Sequence, residues 1–337
     1  MKEVASERHG RAGVITLNRP EALNALTMPM VRAIHAALEG HVADAQVEVI
    51  VIRSSTPKAF CAGGDMRRIS EEALAGRFAE ADASFEEEYA LNLAIAACPK
   101  PYVALLDGIA MGGGLGLSVH GRHRVVTEYA VLAMPETALG FIPDVGASYF
   151  LNKLPPGVGM WLGLTGARLR AAGALASRLA TQMTRRDRLP SLLAALQDAR
   201  AGSIEEVLRT HADPLDTTVA AEALQRQSRG FDAETLAAAY QAWRAQATEQ
   251  SIAEHSPASV AWTFELLRAA RGLSLAEALG LELAAARRAI RHPDFIEGVR
   301  AVLIDKDRQP RWHEASEEVE ASEEVVPAEA GTQLETV

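Results

Sequence analysis

The sequence predicts an α/β fold that gives way to a helical C-terminal region and an acidic tail. Three observations carry that prediction. Short β-branched runs alternate with helix-period text through the first third, which is the pattern of repeated βαβ or ββα units. After Ser191 strand-like runs disappear, prolines become scarce, and Leu, Ala and Arg dominate to about Gln250. From Glu314 to Val337 there are eight Glu and no Lys or Arg.

The elements follow in order. Gly13-Val14-Ile15-Thr16-Leu17 reads as a short buried strand that stops at Asn18-Arg19-Pro20. Thr27-Met28-Pro29 reads as a helix start with Thr27 at the N-cap, and Val31, Ile34, His35 and Leu38 follow at helical spacing. Val47 to Ile52 and Tyr102 to Leu106 are further strands. A second helical stretch runs from Pro257 to His292, with Ala261, Phe264, Glu265 and Arg268 three or four apart. The expected layout is therefore an α/β domain over residues 1–190 and a helical region over 191–312. The tail, 313–337, repeats Ala-Ser-Glu-Glu-Val and has little to bury, so disorder is expected there.

Composition bounds the function. At 337 residues with 48% hydrophobic and 23% charged residues, the chain can bury a sizeable core. The net charge of −10 sits mostly in the tail, which carries −8. An acidic chain lacks the basic surface that phosphate backbones require, so nucleic acid is not expected as a partner. A nearly neutral body still permits a local basic patch for a phosphorylated ligand. Two cysteines, Cys61 and Cys98, give no disulfide framework. The start, Met1-Lys2-Glu3-Val4, has no apolar stretch of a signal peptide and no Arg-rich transit character. The most apolar segment, Tyr102 to Val119, is broken by Asp107 and five glycines, short of the roughly 18 apolar residues a membrane helix needs. The expectation is a soluble cytoplasmic protein of a reducing compartment.

Several catalytic signatures are missing. Ser118 lies in Gly116-Leu117-Ser118-Val119-His120, which lacks the closing glycine of a nucleophile elbow. Gly112-Gly113-Gly114-Leu115-Gly116 fits neither nucleotide-binding glycine pattern. His120 and His123 have no third ligand nearby, so no metal site is expected.

Two glycine-rich turns remain, Phe60-Cys61-Ala62-Gly63-Gly64-Asp65 and Asp107-Gly108-Ile109-Ala110-Met111-Gly112-Gly113-Gly114. Both follow apolar strand text and lead into helical text. They read either as tight strand-to-helix turns or as two amide donors that converge on one oxygen, an oxyanion hole. Glu136 and Asp144, each just after a proline, read either as stabilisers of helix N-termini or as a carboxylate pair flanking a reacting centre. Glu86-Glu87-Glu88 reads as a solvated helix face.

The string from Lys100 to Leu151, KPYVALLDGIAMGGGLGLSVHGRHRVVTEYAVLAMPETALGFIPDVGASYFL, resembles the enoyl-CoA hydratase/isomerase (crotonase) superfamily. VITLNRPEALNAL (14–26) and KAFCAGGDMRRI (58–69) agree with it, and FIEGVRAVLIDK (295–306) is similar to its hydrolase branch. The resemblance covers about residues 10–312, with 191–250 matching only loosely. It implies a crotonase-like spiral of ββα units, an acyl-CoA thioester as ligand, and an oxyanion hole formed by the Gly64 and Gly113 amides. No metal or redox cofactor is implied, since CoA enters as part of the substrate. A homo-oligomer is compatible with the resemblance and is not fixed by it.

One departure from the hydratase pattern is informative. Classical hydratases of the superfamily carry a catalytic glutamate just after the glycine triplet, where this chain has Gly116. Only Glu136 of the usual pair is present. Adding water across a double bond needs a second group to position water or deliver the proton. The hydrolase branch has glycine there and adds an aspartate in P-D-V-G, here Asp144. Glu88 matches a substrate-contacting glutamate of that branch. The implied reaction is hydrolysis of 3-hydroxyisobutyryl-CoA or a close short 3-hydroxyacyl-CoA, with Glu136 and Asp144 catalytic and Glu88, Gly113, Glu136 and Asp144 contacting substrate. The competing expectations are an enoyl-CoA hydratase or isomerase with a relocated acid, and a non-catalytic acyl-CoA-binding protein.

Overall fold

The computed structural model describes residues 2–313; the acidic tail expected at 313–337 therefore lies, apart from His313, outside the described residues. The chain divides into two compact units, each assembled from three segments. Among the described residues, the first holds 2–64, 90–133 and 168–224, and the second holds 65–89, 134–167 and 225–313.

The first unit contains the sheets. Ten strands run in chain order: β1 (Val4–His9), β2 (Ala12–Leu17), β3 (Val49–Ser54), β4 (Ala59–Cys61), β5 (Tyr102–Leu106), β6 (Ile109–Met111), β7 (His123–Val126), β8 (Val131–Ala133), β9 (Leu169–Arg170) and β10 (Gln182–Met183). One sheet has the order β1-β2-β3-β5-β7-β10, the other β4-β6-β8-β9. Consecutive strands thus alternate between sheets: β3, β5 and β7 enter the larger, and β4, β6 and β8 the smaller. Pairing is antiparallel for β1 with β2 and for β8 with β9, and parallel elsewhere. This is the ββα spiral that the sequence implied. The two-residue strands β9 and β10 are too short for hydrophobic periodicity to reveal.

Side-chain alternation along the larger sheet sorts its residues between two faces. Val14, Val49, Val51, Val103, Leu105 and Val125 form one buried cluster with Leu192, Leu196, Ile204 and Leu208. The helices Leu189–Asp198 and Ile204–His211 therefore cover the sheet, and the first unit runs on to Leu224, past the boundary expected at residue 190. The helix Met28–Ala43 begins as its sequence indicates: Thr27 Oγ1 accepts the Met30 amide hydrogen at 3.3 Å, and Val31, Ile34 and Leu38 are buried. His35, at the same spacing, is only half-buried.

The second unit is helical. The stretch expected from Pro257 to His292 is two helices, Pro257–Ala269 and Leu275–Ala289, separated at Gly272 and restarted by a Ser274/Glu277 capping box. Phe85, Phe141 and Phe295 form part of its core, with Phe85 and Phe141 stacked at 5.5 Å between centroids. Among the described residues no helix is long and apolar enough to cross a membrane.

Candidate active site

Both glycine turns belong to the first unit, and they abut. Gly63 has φ +111°, and a Cβ built there would lie 3.2 Å from the Met111 carbonyl oxygen and 3.8 Å from the Gly113 nitrogen. A Cβ on Gly114 would lie 2.4 Å from the Cys61 carbonyl oxygen, so only glycine allows the two turns this approach. Gly113 opens the helix Gly113–Val119 and is buried; its amide is one of the first-turn donors without an intrahelical acceptor. Gly64 bridges in parallel to Leu26, whose amide donates to the Gly63 carbonyl at 2.8 Å.

The preceding segment braces the first turn. Asn24, fully buried with φ 56°, donates from Nδ2 to Ser54 Oγ at 2.8 Å and to the Phe60 carbonyl at 2.9 Å. Asparagine tolerates the left-handed conformation, and its amide ties the end of β3 to β4. The sequence offered Asn24 only as one letter of the VITLNRPEALNAL string.

The carboxylates belong to the second unit. Glu136 is the first residue of the 3-10 turn Glu136–Leu139 and is 6% exposed. Asp144, also 6% exposed, precedes Val145 (φ 54°) and Gly146 (φ 85°). Glu88 and Tyr89 lie on the helix Phe78–Ala96. Neither Glu136 nor Asp144 caps a helix. The turn at Glu136 has Pro135 at its N-cap with no side-chain bond, and the helix Ala147–Phe150 is preceded by Gly146, likewise without one. The Asp144 carboxylate instead accepts a hydrogen bond from Tyr89 Oη at 2.9 Å. Glu86 is exposed and pairs with Arg287, whereas Glu88 turns its Oε1 into the interior, so the solvated face expected for Glu86–Glu88 does not extend to Glu88.

Two of these oxygens are buried without a protein partner: Glu88 Oε1 and Glu136 Oε2. Leaving a buried polar atom unpaired costs about 1–3 kcal/mol, and such atoms in a folded protein are commonly those that receive a substrate or a water. Burial raises all the acids. Glu136 is driven well above the usual carboxylate range by desolvation and then by the Asp144 charge. Desolvation also raises Glu88, assisted by Asp144, and raises Asp144 itself, where the Tyr89 hydroxyl works in the opposite direction. Glu282, on the helix Leu275–Ala289 and fully buried, is pushed up to about 8 by burial despite three hydrogen bonds. Burial and the Asp144 charge thus both favour the protonated form of Glu136 and of Glu88.

Tyr89 and Glu282 were not singled out from the sequence. Tyr89 follows a run of three glutamates, where nothing marks a phenol that reaches a residue 55 positions away. Among the described residues no group of three or more His, Cys, Asp or Glu side chains is arranged to hold a metal ion.

Residues 12–327 match the family described as enoyl-CoA hydratase/isomerase, and the chain belongs to that family. Among relatives, it is similar to the 3-hydroxyisobutyryl-CoA hydrolase, mitochondrial, of Gallus gallus: 42% identity over 338 residues, covering 96% of this chain and 87% of the relative. The protein of the same name from Homo sapiens is 41% identical over 328 residues, covering 93% and 85%. Among solved structures, an enoyl-CoA hydratase from Rhodobacter sphaeroides 2.4.1 superposes with a TM-score of 0.83 at 39% identity, covering 96% of each chain. A carnitinyl-CoA dehydratase from Mycobacterium thermoresistibile gives 0.86 at 33%, covering 95% and 96%.

Proposed function

We propose that this chain hydrolyses the thioester of 3-hydroxyisobutyryl-CoA to the free hydroxy acid and CoA, a step of valine breakdown. The observation that carries the reading is the set Glu136, Asp144 and Glu88, the first two buried and the third half-buried with its Oε1 turned inward, in a chain that has glycine at position 116. The set supplies carboxyl groups for hydrolysis, and Gly116 removes the second glutamate that hydration of a double bond would use. The names of relatives at 41–42% identity agree with hydrolysis.

In this reading the Gly64 and Gly113 amides hold the thioester carbonyl oxygen and stabilise the tetrahedral oxyanion. One such donor is worth about 3 kcal/mol of barrier. Glu136 is the reacting carboxylate, either as a base that takes a proton from water or as the nucleophile that forms a mixed anhydride. In the base route water forms the new C–O bond and the C–S bond breaks; in the anhydride route a Glu136 oxygen forms it as C–S breaks, and water then cleaves the anhydride to free the hydroxy acid and Glu136. In both, the thiolate leaves with a proton that comes, through the acid set, from water. Asp144, fixed by Tyr89, orients water or substrate and keeps Glu136 protonatable near neutral pH. Glu88 receives the 3-hydroxyl of the acyl chain.

The test is thiol release from (S)-3-hydroxyisobutyryl-CoA by wild type and Glu136→Gln. The variant is expected to lose about 10²–10⁴-fold in kcat while it still binds acyl-CoA. Turnover near that of wild type would remove Glu136 from the mechanism. Hydroxylamine trapping during turnover separates the two routes, because only the anhydride yields an enzyme-bound hydroxamate.

A further inference from the structure

Outside the residues assigned above, one buried ionisable group has a bonding pattern that structural packing alone does not call for. Glu282 is 0% exposed and points from the helix Leu275–Ala289 into the turn that follows Asp144. Its Oε2 accepts the Gly146 amide hydrogen at 2.7 Å. Its Oε1 accepts both the Ser148 amide hydrogen at 2.7 Å and the Ser148 hydroxyl at 2.5 Å. Between these donors and Asp144 sits Val145 at φ 54°, a conformation that a β-branched residue adopts only when its surroundings impose it. Gly146 follows at φ 85°.

The same helix is tied at its other end to the helix that presents Tyr89. Arg287 pairs with Glu86 and approaches Asp82 at 3.7 Å, and just beyond the helix Arg291 pairs with Asp82 at 2.9 Å. One helix therefore grips the turn carrying Asp144 and the helix carrying the phenol that Asp144 accepts.

We propose that Glu282 is a positioning residue for Asp144: by accepting three hydrogen bonds from Gly146 and Ser148, it imposes the left-handed turn that holds the Asp144 carboxylate on Tyr89 Oη. Three donors face two oxygens. These hydrogen bonds favour the ionised carboxylate against the burial that raises it, and that acceptor-only form satisfies all three, whereas an amide would turn an N–H onto at least one donor. The inference rests on the catalytic role proposed for Asp144.

The experiment is a double-mutant cycle between Glu282→Gln and Asp144→Asn, read as thiol release from 3-hydroxyisobutyryl-CoA with kcat, KM and the pH–rate profile measured separately. Glu282→Gln alone is expected to lower kcat by about tenfold or more, change KM less than about threefold, and move the pH limb set by the acids. In the Asp144→Asn background it should cost almost nothing further. A full additional loss on top of Asp144→Asn would mean that Glu282 does not act through Asp144, and wild-type kcat in Glu282→Gln would overturn the role outright. Wild-type kcat in Asp144→Asn would instead remove the catalytic reading of Asp144, a separately visible failure. Should Glu282→Gln not fold, Ser148→Ala deletes one donor and is expected to lower kcat in the same direction, with the same non-additivity toward Asp144→Asn; an additive loss overturns the proposal.

Discussion

Tyr89 Oη donates a hydrogen bond to Asp144 Oδ2 at 2.9 Å, and both residues are buried. That bond favours the ionised aspartate against the burial that raises it. Tyr89→Phe removes the donor and keeps the ring that packs 6.3 Å from Phe85. Asp144 should then titrate still higher, so the acidic limb of the kcat/KM profile should move to higher pH, with kcat at neutral pH down by about tenfold. An unchanged profile would mean that the bond does not govern the state of Asp144.

Gly114 tests the close approach of the two glycine turns. A methyl group there would stand 2.4 Å from the Cys61 carbonyl oxygen, so Gly114→Ala must push the turns apart. Misplacing one oxyanion donor costs about 10²–10³ in kcat. Thiol release should fall by that order in protein that still unfolds cooperatively. A rate within about twofold of wild type would show that the spacing of the turns is not used in catalysis.

Glu88 is raised in the folded protein by burial and by the Asp144 charge. Between the ordinary glutamate value and its raised one, the folded state holds a proton that the unfolded chain has released. Stability should therefore fall as pH rises through that interval. Glu88→Gln cannot release a proton, so its advantage over wild type should be small in mild acid and should grow from about pH 5 to about pH 8. Urea midpoints across that range check the sign, and a constant difference would place Glu88 in water.

Glu88 also bears on substrate choice. If its buried Oε1 accepts the 3-hydroxyl, isobutyryl-CoA should be hydrolysed much more slowly than 3-hydroxyisobutyryl-CoA by wild type, since a buried acceptor is then left unpaired. Glu88→Ala should narrow that ratio. Equal preference in wild type and variant would release Glu88 from the role.

Much of this fold was legible locally. The strand at Val14–Leu17, the Thr27 cap and the two glycine turns are each written within a few consecutive residues, where backbone preference and hydrophobic period decide the outcome. What was not legible depends on long-range approach. The larger sheet is covered by Leu192, Leu196 and Leu208, so a change in composition near Ser191 marked a change of element type and not the end of a unit. Glu136 and Asp144 could be named as acids, but the partner of the Asp144 carboxylate is Tyr89, 55 residues earlier, which no local pattern marks. Glu282 sits in Ala- and Leu-rich helical text, where an ordinary glutamate is solvated; only the donors on Gly146 and Ser148, more than 130 residues before it, make its burial tolerable.

Gly116 stands where a second acid would act, so this chain is expected to hydrolyse the thioester and not to hydrate a double bond. Purified protein assayed side by side for thiol release from (S)-3-hydroxyisobutyryl-CoA and for hydration of crotonyl-CoA tests it directly. Thiol release is expected to be rapid and hydration slower by orders of magnitude. Rapid hydration with negligible thiol release would contradict it and would mean that another acid supplies the proton that Gly116 cannot.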